Sequence, residues 1–293
     1  MHQDETQQRL NSQAFERQMT KAAPDYALIM NGVRISQETR RLCHEAGTKL
    51  ALWAYDTPVR LPWIMESLDS YDLVYTYEPE DLTALSRNAQ ASFLPLAYDH
   101  RVYQPFSRER MFQTDLCFVG TVIRKWPERM ERLRRLSKYL SNRKIEIWTD
   151  SIHLWSPRGV VDILTIGGGK DRKVRRREAD HTEINELYNR TKVCLNIHMP
   201  DQRKAVNPRT FEILGSGGFL LTDRLMTNIP DFEEGRDYVI YSNIDDLLEK
   251  ADEFISADDR RVEIAEHGHF LAGKSHTYVR RAERVLRDLR NTD

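Results

Sequence analysis

Residues 207–223 read NPRTFEILGSGGFLLTD, and the first six carry the residue types of an anion site. Asn207 is a good N-cap and Pro208 suits a first helical position. The free backbone N–H groups and positive end of such a helix favour an anion, typically a phosphate. Arg209 in the first turn can hold phosphate oxygens with two parallel bonds. Glu212 lies about one turn deeper, where a carboxylate can accept hydrogen bonds from vicinal hydroxyls such as those of a ribose. An anionic linker at the helix end with a ribose on the glutamate suits a sugar nucleotide. The alternative is a solvated Arg209–Glu212 pair on a surface helix, the usual fate of charged helix residues. Gly215, Ser216, Gly217 and Gly218 follow, and each Gly costs a helix about 0.8–1 kcal/mol relative to Ala. Something must approach that backbone closely.

The elements that position these residues alternate. After a polar amphipathic helix at 5–21, the pattern predicts strands at 25–32, 48–56, 72–78 and 92–99, with helices at 36–47, 62–71 and near 79–87 between them. A linker at 101–114 has no clear periodicity. A second series follows: strands at 115–122, 144–150, 192–198, 219–222 and 237–243, and helices at 127–141, 181–191, 244–255, 258–268 and 276–291. Residues 156–180 are the least regular. Such alternation predicts mostly parallel sheets with helices on their faces. The expected architecture is α/β, two Rossmann-like domains with parallel sheets facing a cleft: an N-terminal domain at 1–105, a C-terminal one at 106–275, and a terminal helix at 276–293 packing back toward the first. Its stripe is read as Tyr278, Ala282, Val285 and Leu286, with Arg280, Arg281 and Arg284 mostly off it.

The chain has 293 residues, a formal net charge of −1 and 40% hydrophobic content, enough for two modest cores and no general attraction for nucleic acid or membrane surfaces. No run approaches a membrane span and the first residues are too polar for a signal peptide, so a cytoplasmic protein with buried, reduced Cys43, Cys117 and Cys194 is expected. KDRKVRRR (170–177) reads as a solvated or mobile loop, since no aromatics interleave it. Gly167-Gly168-Gly169-Lys170 lacks P-loop spacing. His267, His269 and His276 have no Cys or carboxylate partner at zinc-like spacing, and no metal is expected.

ELYNRTKVCLNIH (186–198), NPRTFEILGSGGFLLTD (207–223) and HTYVRRAERVL (276–286) resemble the C-terminal domain of the CgeB-type glycosyltransferase-like proteins, related to the glycosyl transferases group 1. FVGTVIRKWPERMERLRRL (118–136) is similar to the turn and helix that open that domain. ALWAYDTP, YDLVYTYEPEDL and LPLAYDHRVYQP resemble the N-terminal half. The resemblance implies a GT-B fold and transfer of a sugar from a nucleotide-diphosphate donor, which is a substrate, with no cofactor. The acceptor, whether glycan, protein or small molecule, stays open. The other reading is a catalytically weak GT-B-like protein that binds a nucleotide sugar or glycan in surface or spore-coat assembly. Family members begin with a strand and glycine-bearing turn ahead of the segment matching 5–25. The expectation is a natively short chain or an incomplete N-terminal domain, whose sheet would lack one or two strands and expose an edge.

Position by position, the resemblance places Glu212 on the donor ribose, as the second glutamate of a Glu-x7-Glu pattern. Lys204 stands where the first would fall, leaving the stereochemistry open. Gly120 and Thr121 match the phosphate-facing turn, where a close backbone approach tolerates no side chain. Arg124, Lys125 and Arg129 follow it, one or two of them expected to neutralise the diphosphate. Asn207 and Arg209 match residues ahead of the glutamate, and His198 is a contact near the donor. On the acceptor side, Asp56 at a strand end is either a general base or a turn cap, and Asp99 and His100 lie at the next strand end. Glu212→Ala is expected to weaken donor binding while barely changing stability.

Overall fold

In the computed structural model, the residues described are 2–30, 35–56, 61–106, 111–122, 127–149, 172–175, 179–199, 203–224, 226–227, 229 and 231–292. The chain divides into two compact units: Met1–Leu96 with Gln202–Ala205 and Val279–Asp293, and Ala97–Asp201 with Val206–Tyr278. The first division thus falls within the expected strand at 92–99, not at 105.

The described residues of the first unit form a four-stranded sheet in the order β1 (Tyr26–Met30), β2 (Lys49–Ala54), β3 (Leu73–Thr76), β4 (Ala91–Phe93). All pairings are parallel. Its helices are α1 (His2–Ala22), α2 (Gln37–Glu45), α3 (Pro62–Met65) and α4 (Leu82–Leu85). Ser36 caps α2 by accepting from Thr39 N–H, and its own N–H donates to Ser12 Oγ of α1 at 2.9 Å. Leu50, Leu52, Leu68, Val74 and Leu85 form the centre of the core. The run at 92–99 yields only a three-residue strand, because Pro95 has no N–H to continue a ladder.

The terminal helix, α10 in chain order (Tyr278–Arg290), buries Arg281, Val285 and Leu289, while Tyr278, Ala282 and Leu286 are exposed. The buried face is therefore rotated from the expected stripe. The cause is Arg281, whose guanidinium is drawn inward to donate to the carbonyls of Pro95 at 2.7 Å and Leu96 at 3.1 Å. Both carbonyls are orphaned by the early end of β4. Tyr75 Oη also donates to Asp288 at 2.9 Å.

In the second unit the sheet order is β10 (Val239–Ile240), β9 (Leu220–Thr222), β8 (Thr191–Asn196), β5 (Thr114–Val119), β6 (Ile145–Trp148), β7 (Arg172–Arg175). Every pair is parallel. The helices are α5 (Pro127–Tyr139), α6 (His181–Asn189), α7 (Pro208–Gly215), α8 (Ile244–Ser256) and α9 (Asp258–Ser275). Leu133 and Leu136 of α5 and Leu247, Ala251 and Phe254 of α8 pack on Leu116, Phe118, Leu195 and Leu221 of the strands. Cys117 and Cys194 are buried and free, as is Cys43 in the first unit.

The chain enters this sheet at β5, builds outward through β6 and β7, then returns to the other side of β5 with β8, β9 and β10. That is the doubly wound arrangement, whose strand order reverses between β5 and β8, and the crevice beyond the carboxyl ends of those two strands is where such sheets take ligands. Part of the basic run departs from the expected loop: residues 172–175 form edge strand β7. There Arg175 stacks 4.3 Å from the Trp148 ring centre and pairs with Glu183 at 2.6 Å. Gly167 to Lys170 lie outside the described residues. The expected linker is also tied down, for the side-chain amides of Asn185 and Asn189 of α6 donate to Gln104 O, and Gln104 N–H and Phe106 N–H donate to Asn185 Oδ1 and Asn189 Oδ1.

Candidate functional site

At the reversal point, β5 runs into Gly120 and Thr121, and β8 into Ile197 and His198. A Cβ on Gly120 would sit 3.0 Å from the Phe118 ring, so the turn is tight against its own strand. Arg129 of α5 is buried and donates to Thr121 O at 2.6 Å and Ile197 O at 2.5 Å. It clamps the two strand ends together, a structural duty that the sequence reading did not foresee. Arg124 and Lys125 lie outside the described residues.

His198 follows β8 with its side chain 1% exposed. Its Nδ1 is 2.8 Å from Asp223 Oδ1, which also accepts from His198 N–H at 3.0 Å. Since a carboxylate only accepts, Nδ1 carries the proton. Nε2 is buried with no hydrogen-bond partner among the described residues. Asp223, at the end of β9, also pairs with Arg132 at 2.8 Å. Burial holds the His198 imidazole below its ordinary value, with Arg224 and Arg129 adding to the effect and Asp223 opposing it. Asp223 is likewise held below the usual carboxylate range: burial pushes it up, but the His198 and Arg132 contacts outweigh that.

A depressed histidine contributes stability that is full above its unfolded value near pH ~6.5 and is lost as pH falls toward the folded-state value. Thermal midpoints should therefore drop between pH 7 and pH 5, and His198→Asn should flatten that part of the profile. Parallel profiles for the two proteins would show that His198 is not a source of the slope.

The start of α7 is anchored to β8. Asn207 caps the helix by accepting from Thr210 N–H, and its amide exchanges two hydrogen bonds with Asn196, at 2.9 and 3.0 Å. Asn196 also donates to Thr210 Oγ1 at 3.0 Å. Asn207→Ala should cost about 1–2 kcal/mol in chemical denaturation, the upper range for a lost cap, because Asn196 loses two of its hydrogen bonds as well. A loss below a few tenths of that would show the amide pair to be incidental.

Arg209 and Glu212 form an ion pair with each other. Their side chains are 28% and 9% exposed, so neither is the solvated surface residue of the alternative reading. Tyr103 and Tyr188 adjoin the pair, and burial with the nearby Glu212 carboxylate pushes the Tyr103 phenol up. Tyr103 Oη is 2.6 Å from His181 Nδ1. The proximity of Glu212 and the two phenols raises the Arg209 guanidinium further, against the opposing effect of burial. This geometry argues against the expectation that Glu212→Ala would barely change stability, because truncation leaves the largely buried Arg209 guanidinium without its carboxylate.

The glycine run finds its reason at the far end of α7. Ser216 is the C-cap and Gly217 has φ +66. Gly218 N–H donates to Ile213 O at 2.8 Å and Gly217 N–H to Leu214 O at 2.9 Å, a Schellman closure. A Cβ on Gly215 would lie 2.4 Å from the Tyr98 ring. The close approach is thus made by a tyrosine of this unit.

Asp56 belongs to the first unit and is exposed just beyond β2. Asp99 is bound by Arg101 at 2.7 Å, which holds its carboxyl down at about 2. Lys204 belongs to the first unit, with its ammonium 3.3 Å from Glu80. Among the described residues no group of three or more His, Cys, Asp or Glu is placed to hold a metal ion. His276 lies between the rings of Phe211 and Phe232. The sequence reading missed Asp223, Arg132, Asn196 and Tyr103. Asp223 had a signal, an acid closing a buried strand beside a predicted ligand crevice; Tyr103 sat in a stretch without periodicity.

Residues 115–287 match the family described as "Glycosyl transferase-like". The chain belongs to that family. No curated protein sequence matches it. This glycosyl transferase-like chain is similar in structure to sucrose-phosphate synthase from Thermosynechococcus elongatus, with 12% identity and a TM-score of 0.68 over 96% of this chain and 78% of that one. It is similar to a UDP-forming alpha,alpha-trehalose-phosphate synthase from Burkholderia xenovorans, with 13% identity and a TM-score of 0.65 over 97% and 78% of the two chains. The pneumococcal O-GlcNAc transferase GtfA, solved with UDP and GlcNAc, gives 13% identity and a TM-score of 0.61 over 90% of this chain and 56% of that one. These likenesses establish the fold, GT-B, with two Rossmann-like units. Family and fold support glycosyl transfer as the general chemistry. No helix among the described residues is long and apolar enough to cross a membrane.

Proposed function

We propose that this chain is a CgeB-type glycosyltransferase that moves a sugar from a nucleotide-diphosphate donor to an acceptor hydroxyl, and that it works in the cytoplasm. The observation that carries the reading is the buried Arg209–Glu212 pair at the amide-rich start of α7, beside the strand-order reversal. In this account Glu212 accepts the ribose hydroxyls. One Nη of Arg209 holds Glu212, and the remaining N–H donors of its fork serve the diphosphate. Gly120, Thr121 and the Asn207-capped helix start offer backbone amides to the phosphates, with Arg124 adding charge and Arg129 fixing the turn. His198 contacts the donor through Nε2. Asp56 takes the proton of the acceptor hydroxyl as the new C–O bond forms and the sugar–phosphate bond breaks. The negative charge on the leaving diphosphate is balanced by arginine and the helix end, without a metal.

Lys204, in place of the first glutamate of the family pattern, favours a second reading: a binding protein of little catalytic power. Incubation with a panel of nucleotide sugars, reading release of nucleoside diphosphate, separates the two. Turnover lost in Glu212→Gln and Asp56→Asn supports the transferase; binding without release or transfer supports the second reading.

A further inference from the structure

β3 ends at Thr76 and runs into Tyr77-Glu78-Pro79-Glu80-Asp81, a turn with three carboxylates in its last four residues. Two of them are out of water: Glu78 is fully buried and Asp81 is 1% exposed. A buried carboxylate is costly unless hydrogen bonds satisfy it, and Glu78 has no part in the sugar transfer proposed above.

The partners of Glu78 are backbone amides. Arg203 N–H donates to Oε2 at 3.0 Å, Ala205 N–H to Oε2 at 3.3 Å, and Lys204 N–H is shared by both oxygens at 3.2 Å. Three successive amides thus converge on one anion, the concave arrangement called a nest. The carboxylate is held from its own side, since Glu78 N–H donates to Thr76 Oγ1 at 3.1 Å. Side chains brace the nest: Arg203 pairs with Asp81, and the Lys204 ammonium is 3.3 Å from Glu80. All of these contacts lie in the first unit, which includes Gln202–Ala205, and the chain passes to the second at Val206. The next residue is Asn207, the cap of α7. One buried residue, Val206, therefore separates the last amide held by Glu78 from the Asn207–Asn196 amide pair. A segment fixed at both ends has little freedom in how it enters the helix.

We propose that Glu78 is a positioning residue for the donor. By gathering the amides of 203–205 it sets the path of the chain into α7, and so the direction in which the first amides of that helix and Arg209 meet the diphosphate. The role rests on the reading of the α7 start as the donor site.

Two measurements on the full chain test this, with circular dichroism to check that each variant is folded. In calorimetry Glu78→Gln, which keeps the length and one acceptor oxygen but not the charge, should weaken UDP roughly fivefold. Glu78→Ala should weaken it further, and Glu80→Gln, at the exposed carboxylate of the same turn, should leave it unchanged. In amide hydrogen exchange without nucleotide, Glu78→Gln should speed exchange at residues 203–205 and also in the first turn of α7, at 209–211, with β5 and β8 unaltered. A folded Glu78→Gln with undiminished UDP affinity overturns the proposal, as does a rise in exchange confined to 203–205, which would make Glu78 an anchor of that loop alone. An equal loss of affinity in Glu80→Gln overturns it too, assigning the effect to the charge of the turn. Failure of the unaltered chain to bind UDP, GDP or ADP instead brings down the donor reading, and the role of Glu78 with it.

Discussion

Glu212→Ala should lower the unfolding free energy by about 3 kcal/mol, the lower end of the range for breaking a buried ion pair, because Arg209 retains some exposure. The loss comes from the uncompensated Arg209 guanidinium, so Glu212→Gln, which keeps the volume and an acceptor oxygen, should cost markedly less. The folded Gln variant then isolates the functional claim. If the carboxylate holds ribose hydroxyls, UDP affinity should fall by about 1–1.5 kcal/mol, the difference between a charged hydrogen bond and the weaker neutral one that replaces it. Denaturant titration and calorimetry on the two variants measure both effects. An Ala variant with undiminished stability would remove the structural role from Glu212, and a Gln variant with undiminished affinity would remove the functional one.

The second large effect is expected where α9 crosses α7. A Cβ on Gly268 would lie 2.3 Å from Asp237 O and 2.8 Å from Leu214 Cδ2. Backbone cannot swing aside as a side chain can, so Gly268→Val should destabilise by about 3 kcal/mol, the upper part of the range for overpacking. Gly273 lies on the same helix, and its nearest neighbour would be Tyr98 Oη at 3.7 Å, an ordinary contact. Gly273→Ala should therefore be neutral or gain up to about 1 kcal/mol from helix propensity. Equal midpoints in urea for the two variants would mean that the α9–α7 contact tolerates a side chain, and that Gly268 is there for another reason.

Alternation of apolar runs and capped helices was enough to read parallel sheets, because Leu50 to Ala54 and Val193 to Ile197 are buried on both faces and show it as continuous hydrophobic stretches. Periodicity carries no information on neighbours, however, so the reversal between β5 and β8 became visible only with the strand order. Asn207 and its cap were legible from local chemistry. The partner that makes the cap rigid, Asn196, was hidden inside an apolar strand. Arg281 misled for a physical reason: a guanidinium counts as polar in any stripe, yet two carbonyls beyond β4 bury it. The glycines of 215–218 were rightly read as a place of close approach, and a tyrosine ring at Gly215, with the helix closure at Gly217, accounts for much of it.

The most direct measurement is a crystal structure of the chain with UDP bound. The account predicts the diphosphate at the amides of Thr121 and of the α7 start beside Arg209, with both ribose hydroxyls on Glu212. A nucleotide seated elsewhere in the chain, with the Arg209–Glu212 pair untouched, would contradict it.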